Sequence, residues 1–475
     1  MHDSNLYINI NEEKTIRYAF EKIKSKFGIL ITIIDKSGKL KGVITEGDLR
    51  RSLLKGYSLE TQLKIVMNKV PVYITSNQLN NEGNKNDIIN RLNKLYPDDS
   101  YSRKYILIPI VDDKMIVKGA ISFDELISGT YLYKIKKNKI PAKILVVGGA
   151  GYIGSVLVRA LLKKGYMVKV LDNFVYNQDS LDKINSDYFK RIKGDAIDTN
   201  TLIKAISNVD AVVYLAEIVG DPACALIPET AFKTNFLSVN SMASLCSYLN
   251  INRFIYTSSC SVYGASKDPD NFLTESSSVN PVSHYGRMKL MSEHAILNQV
   301  SQNFSPTILR LSTVFGVSNR SRFDLVVNLF AKNAYFYKEL NVFGGEQWRP
   351  NVHVKDVSKA IISVLNSKLE IVGNRIYNIG NKKNNLKIID VAYLAKEIFP
   401  KVKININKSE KDNRNYKVSF DKYEKEVDSF NYISVKEGYR ELYNFFKNKL
   451  IKNPENKIYY NIKFWEEYNN ENSKS

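Results

Sequence analysis

The segment Gly148-Gly149-Ala150-Gly151-Tyr152-Ile153-Gly154 follows an apolar run, Ile144-Leu145-Val146-Val147, and opens a helical pattern, Ser155-Val156-Leu157-Val158-Arg159-Ala160-Leu161-Leu162. Strand, tight turn and helix follow one another directly. Glycine lets the chain turn sharply and lets a pyrophosphate approach the backbone. The start of the helix supplies unpaired N–H groups and the positive end of a dipole for the phosphates. A second apolar run, Met167 to Leu171, ends at Asp172. A carboxylate there can accept hydrogen bonds from both ribose hydroxyls and would repel a 2′-phosphate. This order of strand, glycines, helix and acid predicts a dinucleotide site that takes NAD rather than NADP.

Working outward, a chain of 475 residues is too long for one ordinary domain. The glycine turn begins only at residue 148, so a substantial unit precedes it. From Ala142 onward, short apolar runs alternate with helical stretches, the pattern of an α/β domain with a parallel sheet. Strands are expected at 143–148, 167–172, 211–215, 253–258 and 307–312. After residue 315 the alternation loosens, which suggests a smaller C-terminal substrate lobe, mainly 315–450. Residues 451–475 read as a tail, polar and disordered from 468. Residues 131–142, rich in Lys and ending near Pro141, read as a linker.

The net charge is +20, from 69 basic and 49 acidic residues. The lysines are spread along the whole chain, so nucleic acid is not the expected partner. A basic surface would still attract a doubly charged nucleotide substrate. The three cysteines form no C-x-x-C pair and fit a reducing cytoplasm. The four histidines show no metal-ligand spacing, so no metal is expected. No apolar run reaches the ~20 residues of a membrane span, and Met1 to Asn5 has no signal-peptide pattern.

Residues 1–130 carry an internal repeat. Gly42-Val43-Ile44-Thr45-Glu46-Gly47-Asp48-Leu49 recurs as Gly119-Ala120-Ile121-Ser122-Phe123-Asp124-Glu125-Leu126. Each copy follows an apolar strand and a charged turn, and two such units imply a pseudo-symmetric pair. The region resembles an α+β tandem CBS pair, most clearly over residues 8–70. The resemblance implies an adenine nucleotide held by Thr45 and Asp48; in the second copy Ser122 is kept and Glu125 replaces Asp. The other reading of the pair is a module that only dimerises, and a homodimer or higher homo-oligomer is expected.

Tyr285-Gly286-Arg287-Met288-Lys289 supplies the chemistry. Tyr285 and Lys289 share one helix face. An ammonium beside a phenol favours the phenolate, and such a tyrosine can exchange a proton with a sugar oxygen. Upstream, Phe254 to Gly264 reads as a strand that delivers hydroxyls at its carboxyl end, where ligands sit in open parallel sheets. Ser259 could hold the reacting hydroxyl.

With these pieces in order, residues 143 to about 450 resemble an extended short-chain dehydrogenase/reductase of the NAD-dependent nucleotide-sugar epimerase/dehydratase family. The resemblance rests on Gly148 to Gly154, Asp172-Asn173, Gly194-Asp195, Leu215-Ala216, Asn235, Thr257-Ser258-Ser259, Tyr285 with Lys289, and Arg349-Pro350-Asn351-Val352-His353. It implies a Rossmann-type doubly wound sheet with Ser259, Tyr285 and Lys289 as catalytic residues. The cofactor residues it implies are Gly148, Gly151, Tyr152, Ile153, Gly154, Asp172, Asn173, Asp195, Ala196, Leu215, Ala216 and Asn235, with Tyr285 and Lys289 on the nicotinamide ribose. A nucleoside diphosphate sugar would meet Asn328, Arg349 and Arg414, arginine suiting phosphate through its planar fork. Glu217 stands where the family usually has a small residue; it either tunes specificity or points outward.

The sugar dehydratases of this family carry an acidic residue after the catalytic Ser/Thr. Here Cys260 and Ser261 stand there, which disfavours dehydration. Oxidation and reduction at one carbinol, most simply C4, remains. The expected activity is a nucleotide-sugar epimerase in surface polysaccharide or glycoconjugate precursor synthesis. A 4-dehydrogenase or ketoreductase is the alternative, and a non-catalytic nucleotide-sensing scaffold stays open behind it.

Overall fold

The structure, a computed structural model, describes residues 7–23, 30–76, 78, 107–122, 142–176, 180–265, 271–407, 415–448, 451 and 453–472. The chain divides into two compact units, 1–137 and 138–475. The linker expected at 131–142 lies, but for Ala142, outside the described residues, as do Glu125 and Arg414.

The first unit repeats one small sheet. Strand β1 (Tyr7–Asn11) runs parallel to β2 (Leu30–Ile34), which pairs antiparallel with β3 (Leu40–Ile44). In the second copy β4 (Ile74–Thr75) runs parallel to β5 (Leu107–Val111), which pairs antiparallel with β6 (Val117–Ser122). Each antiparallel pair breaks register at the same place, between Ile33 and Ile34 and between Ile110 and Val111. Each is turned by one aspartate. Asp35 accepts from the N–H groups of Ser37 and Lys39, and Asp112 from those of Lys114 and Ile116. An aspartate bonding its own backbone in this way fixes a tight turn. Helix α1 (Ile16–Ile23) buries Ile16, Ala19 and Ile23, and α2 (Glu46–Leu54) buries Leu49, against Ile31, Ile33 and Ile44.

The second unit is built on a seven-stranded parallel sheet. Its first strands are β7 (Lys143–Val147), β8 (Met167–Asp172), β9 (Phe189–Lys193), β10 (Ala211–Tyr214) and β11 (Arg253–Ser259). Strands β12 (Thr307–Leu311) and β13 (Arg375–Ile379) complete it, in the spatial order β13-β12-β11-β10-β7-β8-β9. Ile144, Leu145, Val146, Val147 and all of β10 are fully buried, as helices on both faces require. The chain goes from β7 outward to β9, then returns to β10 on the other side of β7. That reversal opens a crevice at the carboxyl ends of β7 and β10, where open α/β sheets bind ligands.

Helix α3 (Gly154–Lys163) leaves the glycine turn, and α4 (Asp221–Leu226) follows the loop after β10. Next comes a π-helical turn, Lys233–Leu237, that runs into α5 (Ser238–Tyr248). Helix α6 (His284–Leu297) is capped by the Ser283 hydroxyl, which accepts from Gly286 N–H. The lobe has its own core, with Phe315, Phe323, Phe330, Phe399, Tyr439 and Phe446 in one cluster. The expected tail forms instead α7 (Asn461–Asn472). It is ordered because Phe464 and Trp465 bury themselves against Ile218, Cys224, Tyr285 and Met288.

A buried ion pair locks α6 to the sheet. Arg310 of β12 donates to both carboxylate oxygens of Glu293, at 3.0 Å to Oε1 and at 2.7 and 3.3 Å to Oε2, and Ser258 donates to Oε1 at 2.5 Å. Replacing Arg310 alone by Met strands the Glu293 charge in the core. The expected cost is about 3–5 kcal/mol, read as an earlier urea midpoint for the Rossmann unit. Replacing Glu293 by Gln as well is expected to recover much of that loss.

Candidate active site

The glycine turn has the shape its residues demand. Gly148 adopts φ +82°, and a Cβ there would lie 2.5 Å from the Ala216 nitrogen. Gly151 is different: a Cβ would meet only the Gly148 carbonyl oxygen, at 3.2 Å. The backbone is therefore bare toward the crevice, where a pyrophosphate needs room. No side chain caps α3; the N–H groups of Ser155 and Val156 donate to the backbone carbonyls of Gly151 and Ile153, and the positive end of the helix dipole faces the turn.

The cleft at this turn is lined by Gly148, Gly151, Asp172, Asn173, Asp195, Ala196, Leu215 and Ala216, all expected cofactor residues. Asp172 accepts from Ala150 N–H at 2.9 Å and Phe174 N–H at 2.8 Å, which aims its carboxylate; burial raises its pKa above the ordinary carboxylate range. Asn173 donates to Asp195 at 3.1 Å. A dinucleotide fits these residues: the bare turn for its pyrophosphate, the acid for its ribose.

The other expected residues that the structure describes are held by contacts within the fold. The Tyr152 hydroxyl donates to Gly316 O at 2.7 Å and accepts from Asn328. Asn328, 1% exposed, also donates to Arg322 O and accepts from Gly316 N–H. Its amide ties the lobe to the glycine turn. Ile153 is the residue from which α3 starts, and Gly154 is buried within it. Asn235, in the π-helical turn, clamps the backbone of Ile218 from both sides at 2.8 Å. Arg349 is buried in a lobe strand, donates to Trp348 O and lies 5.7 Å from the Tyr416 ring centroid. Arg414 lies outside the described residues.

The strand and the helix expected to carry Ser259, Tyr285 and Lys289 both form. Ser259 ends β11; its oxygen accepts from Ser261 N–H at 3.1 Å and its hydroxyl donates to Ser261 Oγ at 3.0 Å. Tyr285 and Lys289 stand one turn apart on the buried face of α6. Lys289 donates to Thr257 O and forms an ion pair with Glu217. Its ammonium is 5.6 Å from the Tyr285 ring centroid and 4.8 Å from that of Tyr256. A lowered phenol pKa was the sequence expectation. The structure reverses it: burial, then the Glu217 charge, push the Tyr285 phenol well above its ordinary value. Glu217 points inward, which settles one alternative the sequence left open.

Sequence reading missed the far wall. Arg320, Trp465 and Tyr468 also line the cleft. The Arg320 guanidinium stacks 3.9 Å from the Tyr176 ring centroid and donates to Asn461 of α7 at 2.8 Å. Trp465 donates to the Tyr176 hydroxyl at 3.2 Å. A Trp in a polar C-terminal stretch was the signal that could have found this wall, since so large an apolar surface is rarely left in water.

The comparisons with known proteins match the two parts of the chain separately. A model described as the NAD dependent epimerase/dehydratase family matches residues 144–380, and a CBS domain model matches residues 7–55. A UDP-glucose 4-epimerase of Corynebacterium glutamicum is 27% identical over 260 residues, 50% of this chain and 75% of that protein. The uncharacterized UDP-glucose epimerase YtcB of Bacillus subtilis is 30% identical over 270 residues, 54% of this chain and 82% of that protein. The crystal structure of UDP-glucuronic acid 4-epimerase from Bacillus cereus, in complex with UDP-glucuronic acid and NAD, superposes with a TM-score of 0.58 at 26% identity. It covers 65% of this chain and 99% of that one. The chain belongs to the NAD dependent epimerase/dehydratase family, with a CBS domain ahead of it.

Of the two tryptophans, Trp348 and Trp465, only Trp465 lines the cleft. Reduced dinucleotide is expected to quench the intrinsic fluorescence of the wild type and of Trp348→Phe. Trp465→Phe should lose most of that quenching.

Proposed function

We propose that this chain is a nucleotide-sugar 4-epimerase that oxidises a sugar carbinol and reduces it again. The observation that carries the reading is the pairing of Tyr285 and Lys289 on the buried face of α6, with Lys289 bonded to the Thr257 carbonyl of β11, the central strand that ends at Ser259. Parallel sheets place reacting groups at that end. NAD, held by the Gly148–Gly154 turn and Asp172, would accept and return the hydride. The chain's own part is proton transfer and orientation. Ser259 holds the sugar oxygen, Tyr285 exchanges its proton, and Lys289 orients both the ribose and the phenol. UDP-hexoses are the proposed substrates, supported by the names of the relatives, and Arg349 and Arg414 the proposed phosphate contacts. A role in surface polysaccharide or glycoconjugate precursor synthesis is part of the same proposal.

For the first unit we propose adenine-nucleotide binding through Thr45 and Asp48. The competing structural use of these residues is visible. Thr45 caps α2 and accepts from Asp48 N–H, and Asp48 accepts in turn from Thr45 and from Arg51. The three free cysteines are buried and support a reducing, cytoplasmic location. Among the described residues no helix is long and apolar enough to cross a membrane.

Tyr285→Phe should cost on the order of 10²–10⁴-fold in turnover of UDP-hexoses while NAD stays bound. Full activity in this variant would overturn the mechanism. Titration calorimetry of the whole chain with AMP, ADP and ATP tests the first unit. Binding that Thr45→Ala weakens is expected. Heats that the variant leaves unchanged would assign the capping box a purely structural role.

A further inference from the structure

Glu217 lies outside the expected catalytic set, yet it joins the dinucleotide cleft to the catalytic lysine. It lines the cleft. One carboxylate oxygen takes the Lys289 ammonium, and the other accepts from the Tyr256 hydroxyl at 2.7 Å. The two charged side chains are 4% and 3% exposed. A carboxylate is held this deep only when its charge is paired and its oxygens are bonded. The loop that carries it is itself fixed, because Asn235 grips Ile218, the next residue, on both its N–H and its C=O. Lys289 has three donors and directs two of them, to Glu217 and Thr257 O, toward the sheet.

We propose that Glu217 is a positioning residue of this active site: as counter-ion of Lys289 it decides how much of the ammonium charge reaches the Tyr285 phenol. The groups around that phenol come from every neighbouring element. Lys289 is on the same helix, Glu217 on the loop after β10, Tyr256 on β11, Asp221 and Cys224 on α4, and Arg322 in the lobe. Arg322 is bound by Asp324 at 2.9 and 3.0 Å, so its charge is largely answered. Burial first, and then the Glu217 charge, favour the neutral phenol, while the Lys289 charge is answered by Glu217. A neutral residue at 217 would release the ammonium charge to the phenol and make it a base at lower pH. The inference deepens the catalytic reading above and rests on it only for its effect on turnover.

The test needs no substrate. Full-length protein labelled with ¹³Cζ-tyrosine is titrated by NMR, with Tyr285→Phe assigning the resonance, and NAD binding serves as the check of folding. In Glu217→Gln the Tyr285 phenol is expected to ionise at least about one pH unit earlier than in the wild type, a tenfold or greater change in its equilibrium. Glu217→Asp keeps the charge but cannot span both Lys289 and Tyr256. It should shift the phenol in the same direction and less, and it serves if the Gln variant does not fold. An unchanged titration in the folded variants would overturn the proposal, whatever the protein turns over. Should no nucleotide sugar be turned over, the titration still decides the role of Glu217. If epimerisation is found, the rising limb of its pH profile should move to lower pH in Glu217→Gln.

Discussion

Helix α6 carries two buried charges one turn apart, and each is answered by the sheet. Lys289 meets Glu217 from the loop after β10, and Glu293 meets Arg310 from β12. Neither charge could be held in this interior alone, since removing one partner of a buried pair leaves an uncompensated ion. The helix is therefore fixed along its length and around its axis at once. Tyr285 stands one turn before Lys289 and inherits that precision. A helix held only by apolar contacts could slide or rotate slightly and still bury its face; two directional ion pairs do not permit it.

The same economy runs through the crevice. Reversal of strand order between β7 and β10 opens the cleft, and the glycine turn gives it a floor. The π-helical turn before α5 then places Asn235 so that its side chain clamps the loop after β10, while its own carbonyl accepts from Ser292 of α6 at 2.8 Å. One asparagine thus ties the loop bearing Glu217 to the helix bearing Lys289. Extra-residue turns of this kind are common where a helix must present a functional group.

Much of this was legible in the chain itself, for reasons that can be named. The five expected strands are largely buried apolar runs, and they formed where expected to within a residue at every end. The glycine turn and the Tyr285–Lys289 pair are short-range patterns whose geometry is local. Strand β9 was not foreseen because Lys190, Arg191 and Lys193 break its apolar pattern, as an edge strand can afford. The inward aim of Glu217, the internal use of Asn328 and the wall made by Trp465 all depend on partners distant in sequence. Charge was the hardest to read. A Tyr and a Lys four residues apart imply an activated phenol only while nothing else claims the lysine.

Cys224, Cys246 and Cys260 are all buried. Burial pushes the Cys224 and Cys260 thiols up to about 12 and the Cys246 thiol well above its ordinary value. Thiolate is the form that alkylating reagents and oxidants attack, so none of the three should react while the fold is intact. The native chain therefore offers a silent background for chemical labelling. A single cysteine placed on an exposed residue of either unit would be the sole handle for a dye or spin probe. A pair, one on each unit, would turn the distance between the N-terminal repeat and the Rossmann unit into something directly measurable.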